Sequence, residues 1–211
     1  MGKRLFDIFF SSLGLLILSP FFTVVVLLLK RDSEGPVFFR QERMGRNFKP
    51  FRIYKFRTMS VCQEGRGPLI TVANDTRITG FGRFLRKSKI DELPQLLNVL
   101  KGEMSLVGPR PEVKTYVQLF RPEFEKLLTV RPGITDFASL RYSEEEGLLA
   151  LSENWEEEYI KKILPQKIRL SLRYVENRTI LTDITLIVKT ILKTSRTRSG
   201  WEGELYERHS C

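Results

Sequence analysis

Residues 8–29 read Ile8-Phe9-Phe10-Ser11-Ser12-Leu13-Gly14-Leu15-Leu16-Ile17-Leu18-Ser19-Pro20-Phe21-Phe22-Thr23-Val24-Val25-Val26-Leu27-Leu28-Leu29, a run of 22 residues without a charge. A helix of about 20 apolar residues is long enough to cross a bilayer. This stretch therefore commits the chain to a membrane. It exceeds the ~7–15-residue core of a cleaved signal peptide, and no small-residue cleavage site follows it. Phe6 stands where a myristoylation signal needs Ser or Thr, so Met1-Gly2 does not mark an acylated terminus.

The ends of the run constrain its path. Lys3 and Arg4 precede it and Lys30 and Arg31 follow it, so the positive-inside rule draws both ends to the cytoplasm. Pro20 cannot donate to the carbonyl of Leu16 and disturbs that turn, which predicts a bend at Ser19-Pro20. Each arm of about 11 residues reaches roughly 17 Å, close to one leaflet. Ser19 is placed to satisfy a backbone group freed at the bend. Pattern alone leaves two paths open. A spanning helix is the favoured one, since membrane helices tolerate proline; the other re-enters the face it left.

Outward from the run, Gly35-Pro36 ends the anchor. Aromatics and cations then alternate from Val37 to Met59, around a Gly45-Arg46-Asn47 turn signal. This predicts a β-hairpin, residues 37–42 against 51–56. It is either an amphipathic strand pair with a solvated basic face or a surface seated among phospholipid headgroups. Residues 60–75 read as a loop. Helices are predicted over 77–87, 92–100, 112–128, 154–177 and 182–193, with Gly102 stopping the second. The chain from Thr194 is polar and expected to be loosely held. The fold class is mostly α with a small β-hairpin (α+β). The amphipathic helices at 112–128 and 182–193 are expected to rest in the membrane interface.

Charge narrows the function. The chain of 211 residues carries a net +10, and residues 1–110 hold all of it, with 19 Lys/Arg against 9 Asp/Glu. A basic half implies an anionic partner: nucleic acid, lipid headgroups or a phosphorylated substrate. The membrane run argues against nucleic acid. Cys62 and Cys211 form no spacing pattern, which supports neither a disulfide framework nor a cysteine zinc site. The one histidine, His209, is three residues from the end, so chemistry here falls to other groups.

Asp91-Glu92-Leu93-Pro94-Gln95 is the leading candidate. Asp91 lies at a predicted helix start, with Pro94 in the first turn, just after Arg83, Arg86, Lys87 and Lys89. Helix N-termini expose unpaired N–H groups that favour carboxylate and phosphate. A positioned, ionised Asp can attack phosphorus and form an acyl phosphate. Two carboxylates beside a phosphate ester also suit Mg²⁺. The plainer reading of Asp-Glu in a first turn is a helix cap, and from these residues alone it is the stronger one.

Beyond the pair, Asn98-Val99-Leu100-Lys101-Gly102-Glu103-Met104-Ser105-Leu106-Val107-Gly108-Pro109-Arg110-Pro111 resembles the bacterial sugar transferase family, the small monotopic phosphoglycosyl transferases. Similar motifs are Gly35-Pro36-Val37-Phe38-Phe39-Arg40-Gln41, Tyr54-Lys55-Phe56-Arg57-Thr58-Met59, Asp75-Thr76-Arg77-Ile78-Thr79, Gly82-Arg83-Phe84-Leu85-Arg86, Arg131-Pro132-Gly133-Ile134-Thr135 and Tyr174-Val175-Glu176-Asn177. The resemblance runs to about residue 193. It implies transfer of a sugar-1-phosphate from a nucleotide diphosphate sugar, usually a UDP-sugar, to undecaprenyl phosphate. That is the first membrane step of glycoconjugate assembly, at the cytoplasmic face of the bacterial inner membrane. It implies Asp91 as nucleophile, Glu92 as its supporting or acid/base partner, and Mg²⁺ on the diphosphate near both. Arg86 and Arg110 would hold phosphate, with Lys55 and Arg57 as a further basic motif. It also implies a re-entrant anchor over 1–31 with its break at Ser19-Pro20, a catalytic domain over 32–193 and a tail over 194–211. A homo-oligomer is left open.

The chain departs from the family pattern in two places. Lys89-Ile90 precede the pair where many members have Ser or Thr and then Leu. Asp136-Phe137-Ala138-Ser139 stands where many members continue Gly-Trp-Ala-Gln, followed by Arg141 and an acidic stretch, Glu144-Glu145-Glu146. The second departure lies where the donor is expected to bind, so the sugar stays unspecified.

Overall fold

The computed structural model describes residues 2–60 and 75–196. Cys62, Cys211, His209, most of the loop expected over 60–75 and the end of the tail lie outside these. Helix α1 (Gly2–Asp32) contains the apolar run, and among the described residues it is the one helix long and apolar enough to cross a membrane. Helical structure continues through Pro20, so the expected break is not an interruption of the helix. The Ser19 hydroxyl donates to the Leu16 carbonyl at 2.8 Å, replacing the bond that proline cannot make.

The protein holds α1 near both ends. Lys3 pairs with Asp183, and Arg4 donates to the carbonyls of Val99 and Leu100 at 2.5 and 2.8 Å. Asp7, though in an apolar helix, is buried and accepts from Ser105 Oγ at 3.0 Å and the Leu106 N–H at 3.1 Å. Toward the other end, Val25 and Leu29 pack with Phe56 and Leu85. Most of the remaining apolar surface of α1 is exposed, including Phe9, Leu16, Ile17, Val24 and Leu27.

The hairpin forms from β1 (Phe38–Met44) and β2 (Pro50–Phe56), antiparallel with Phe38 opposite Phe56 and Met44 opposite Pro50. Its turn uses left-handed backbone at Asn47 and Phe48, φ 55° and 58°. Helix α2 (Gly80–Lys87) begins later than residue 77. Asp75 Oδ1 takes the Arg77 N–H at 3.0 Å, and Thr79 Oγ1 caps the helix by accepting from Gly82 at 2.9 Å. Helix α3 (Gln95–Lys101) stops at Gly102, whose φ of 81° suits glycine. Strand β3 (Ser105–Val107) follows.

The expected helix over 112–128 is two, α4 (Lys114–Leu119) and α5 (Arg121–Leu127). Pro122 has no N–H for the Gln118 carbonyl, so the turn opens at Phe120. Strand β4 (Gly133–Thr135) pairs in parallel with β3, a pairing that three-residue strands do not announce in sequence. Helices α6 (Phe137–Arg141) and α7 (Glu145–Ala150) come next. The 154–177 helix is present as α8 (Trp155–Glu158), a π-helical turn (Tyr159–Ile163) and α9 (Leu164–Glu176). The wide turn precedes Pro165, which has no N–H for Lys161. Helix α10 (Ile180–Arg196) runs into the expected tail.

The largest core joins Met44, Val113, Tyr116, Val117, Phe124, Leu127, Leu149 and Ile163. Helices α4 and α5 thus turn their apolar residues inward, leaving little to offer a membrane. Helix α10 does the opposite along one side, where Ile180, Leu181, Ile184, Val188 and Ile191 are exposed.

Candidate active site

Asp91 is presented by a sharp turn between two helices. After α2 ends, Lys89 takes left-handed φ of 56°, and Ile90–Glu92 form one 3-10 turn before Pro94 opens α3. Asp91 is therefore not a cap: neither helix start receives a side-chain hydrogen bond from it. It is 5% exposed, and its Oδ1 is buried with no hydrogen-bond partner among the described residues. Burial pushes its carboxyl up to about 6; Lys55, Arg86 and Lys89 act against this, while the Glu92 charge adds to it.

Glu92 has the opposite environment. Burial opposes its ionisation too, but Arg110 and Lys55 outweigh that and hold it well below the usual carboxylate range. Lys55 Nζ donates to Oε1 at 2.8 Å, and Arg110 donates to both oxygens, at 3.0 Å to Oε2. Two neighbouring carboxyls are thus driven apart, one poised near neutrality and one fixed as an anion.

Buried Asn98 sets this geometry. Its Oδ1 accepts from the Tyr54 N–H at 2.9 Å and its Nδ2 donates to the Arg52 carbonyl at 2.8 Å. That stitches α3 to β2 and brings Lys55 to Glu92. Arg110 is carried by the β3–β4 pair, whose closing bonds run from Gly108 N to Thr135 O at 3.0 Å and from Gly133 N to Pro109 O at 2.9 Å.

The other expected phosphate ligands separate. Arg86, in the last turn of α2, meets Glu146 at 2.6 and 3.3 Å and Thr58 at 3.4 Å. Arg57 does not join the site. It is 1% exposed and donates to the carbonyls of Leu29, Ser33 and Pro36 at 3.1, 2.6 and 2.5 Å. It is a staple for the end of α1.

Sequence reading missed Asn98, Thr58 and a buried charged group behind Arg110. There Glu112 accepts from Tyr159 at 2.8 Å and lies 3.5 Å from both Arg43 and Lys167, and Lys167 meets Glu145 at 2.8 Å. A polar Asn at a buried position among leucines was the available signal for the first.

Among the described residues no group of three or more His, Cys, Asp or Glu gathers as a metal site. Mg²⁺ needs less, because it commonly takes one or two carboxylates and leaves other positions to substrate oxygens. Asp91 Oδ1, unpartnered, fits that use, whereas both Glu92 oxygens are already engaged by Lys55 and Arg110.

Residues 1–197 match the family described as bacterial sugar transferase. The chain is 41% identical over 203 residues to the exopolysaccharide production protein PSS of Rhizobium leguminosarum bv. phaseoli, covering 90% of this chain and 93% of that one. It is 35% identical over 204 residues to the UDP-glucose:undecaprenyl-phosphate glucose-1-phosphate transferase of Klebsiella pneumoniae, covering 94% of this chain but 41% of that one. It is 38% identical over 192 residues to the UDP-N-acetylgalactosamine-undecaprenyl-phosphate N-acetylgalactosaminephosphotransferase of Aeromonas hydrophila, covering 90% and 42%.

Proposed function

The chain belongs to the bacterial sugar transferase family, and from that premise we propose that it moves a sugar-1-phosphate from a UDP-sugar to undecaprenyl phosphate through Asp91. The observation that carries this is a buried carboxylate with an unpartnered oxygen, lying in the field of Lys55, Arg86 and Lys89. Ionised Asp91 attacks the phosphorus that bears the sugar. An Oδ–P bond forms, the bond to the bridging oxygen breaks, and the nucleoside monophosphate leaves. A phosphate oxygen of undecaprenyl phosphate then attacks the same phosphorus and releases the Asp91 carboxylate. Charge neutralisation and positioning suffice for such a transfer, which suits a site without imidazole.

Glu92 is held ionised, so its part is to fix Arg110 and Lys55 against the diphosphate rather than to deliver a proton. Arg86 adds a further guanidinium; planar guanidinium suits two phosphate oxygens. Mg²⁺, held at Asp91 beside the ion-paired Glu92, would neutralise diphosphate charge.

The re-entrant reading of α1 is supported by its anchoring at Lys3, Arg4 and Asp7 and again at Leu29. Contact of one body with both arms favours a path that keeps both on one face, and the flanking cations favour the cytoplasmic one. The exposed apolar side of α10 fits the interface beside it. Tags before Lys3 and after Arg31 should both report the cytoplasm; a periplasmic N-terminus refutes this path.

The function is tested with radiolabelled UDP-sugars, Mg²⁺ and purified protein. Label should remain on the denatured wild-type chain and be absent from Asp91→Asn. No label and no UMP release across a panel of UDP-sugars, with folded protein and undecaprenyl phosphate present, overturns it.

A further inference from the structure

The Arg86 guanidinium, which the proposed reaction needs for phosphate, is already taken by a carboxylate. Glu146 Oε1 accepts from Nη2 at 2.6 Å and Oε2 from Nε at 3.3 Å. Two oxygens of one anion against two N–H groups is the arrangement in which a guanidinium receives phosphate. The contact joins α7 to the last turn of α2, 60 residues apart in sequence. Arg86 lies close enough to Asp91 for its charge to be felt there.

The two sides of the first turn of α7 are held differently. Glu145 is anchored inward on Lys167 at 2.8 Å, and that lysine side chain is 8% exposed. Leu149 is fully buried in the main core. Glu146 reaches outward with its side chain 39% exposed, beside Gly147, where an added Cβ would meet open space. The Glu146 side chain can therefore leave Arg86 by rotation about its own bonds, with α7 still seated on Glu145 and Leu149.

We propose that Glu146 is a resident stand-in for the diphosphate of the donor: it holds Arg86 until a substrate phosphate displaces it, and so sets donor affinity. This rests on the reading of the site as one for a nucleotide diphosphate sugar. The donor diphosphate carries two negative charges, one on each phosphate, against the single charge of a carboxylate, and so competes for the same two N–H groups. When the monophosphate leaves, Glu146 returns and Arg86 is not left unpaired. The segment Glu144-Glu145-Glu146 also lies in the stretch where the sequence departs from the pattern of many family members.

The test is a two-residue cycle. Magnesium pyrophosphate is titrated calorimetrically into the full chain in detergent, for wild type, E146Q, R86Q and the double variant, with thermal melting run on each. In parallel, label transfer from UDP-sugars is followed for wild type and E146Q. E146Q should bind pyrophosphate about 2- to 5-fold tighter, the range a partly exposed ion pair is worth, and should lower the donor KM by a similar factor. R86Q should bind more weakly, and the E146Q gain should vanish in its background. Unchanged or weaker binding by E146Q, or a gain that persists without Arg86, overturns the proposal. If wild type still transfers label in that case, the stand-in falls and the enzyme reading survives. Neither transfer nor pyrophosphate binding in any form removes both.

Discussion

Replacing Asp91 by Asn should make the protein more stable while abolishing its chemistry. Burial raises the Asp91 carboxyl from 3.8 to about 6. That is roughly two units, and at about 1.36 kcal/mol each the folded protein bears about 3 kcal/mol for keeping Asp91 ionised. The sign follows from proton counts. Between about pH 4 and pH 6 the folded chain keeps a proton that the unfolded chain has lost, so stability falls as pH rises through that window. Asn carries no charge, so D91N escapes this fall. For a chain of this size, about 2–4 °C of melting temperature accompanies each kcal/mol. D91N should therefore melt about 6–12 °C above wild type at pH 8, and the two should converge near pH 4. Thermal unfolding in one detergent across that range measures it. A D91N protein that melts at or below wild type at pH 8, or a gap that ignores pH, refutes the claim that this carboxylate is kept under strain.

Four further outcomes follow from the same geometry. The kcat/KM of wild type should rise with pH through about 6 as Asp91 ionises, read from a pH–rate profile. Glu92→Gln should move that midpoint to lower pH, since the Glu92 charge helps raise Asp91, and should cost about 2–3 kcal/mol by leaving Lys55 and Arg110 facing a neutral amide, discounted from a fully buried pair because both cations are partly exposed; denaturant titration checks it. Arg57→Lys cannot reach three carbonyls, so it should lose about 2–3 kcal/mol in melting experiments at roughly 1 per hydrogen bond. A Cβ on Gly133 would lie 2.0 Å from the Gly108 nitrogen, so Gly133→Ala should cost about 3 kcal/mol or more and reduce transfer with it, because that crossing carries Arg110.

Sequence periodicity served the elements whose own residues decide them. The apolar run, the hairpin and α10 stand where pattern put them, because charge-free length, alternation and a one-sided apolar stripe are local properties. Pattern failed where one residue altered a turn. Pro122 divides the 112–128 helix and Pro165 follows a π-helical turn, yet both windows keep helical spacing throughout. Pairing over distance was invisible as well: Ser105–Val107 meets Gly133–Thr135 with nothing in either triplet to require it.

The site shows the same division more sharply at Lys55 and Arg57. They are two residues apart, so alternation puts them on one face and invites one role for both. Strand β2 ends at Phe56, with the Arg57 N–H making one last bond to the Val37 carbonyl at 2.9 Å. Lys55 then meets the Glu92 carboxylate, while Arg57 collects carbonyls at the end of α1. The two cations still act on one assembly, since Phe56 between them packs with Leu29 and Leu85. One short segment thus ties α1 to the helix that carries Arg86, and to the anion that orders Arg110. Displacing the end of α1 should consequently be felt at Glu92 through β2, across a packed and hydrogen-bonded path rather than through lipid.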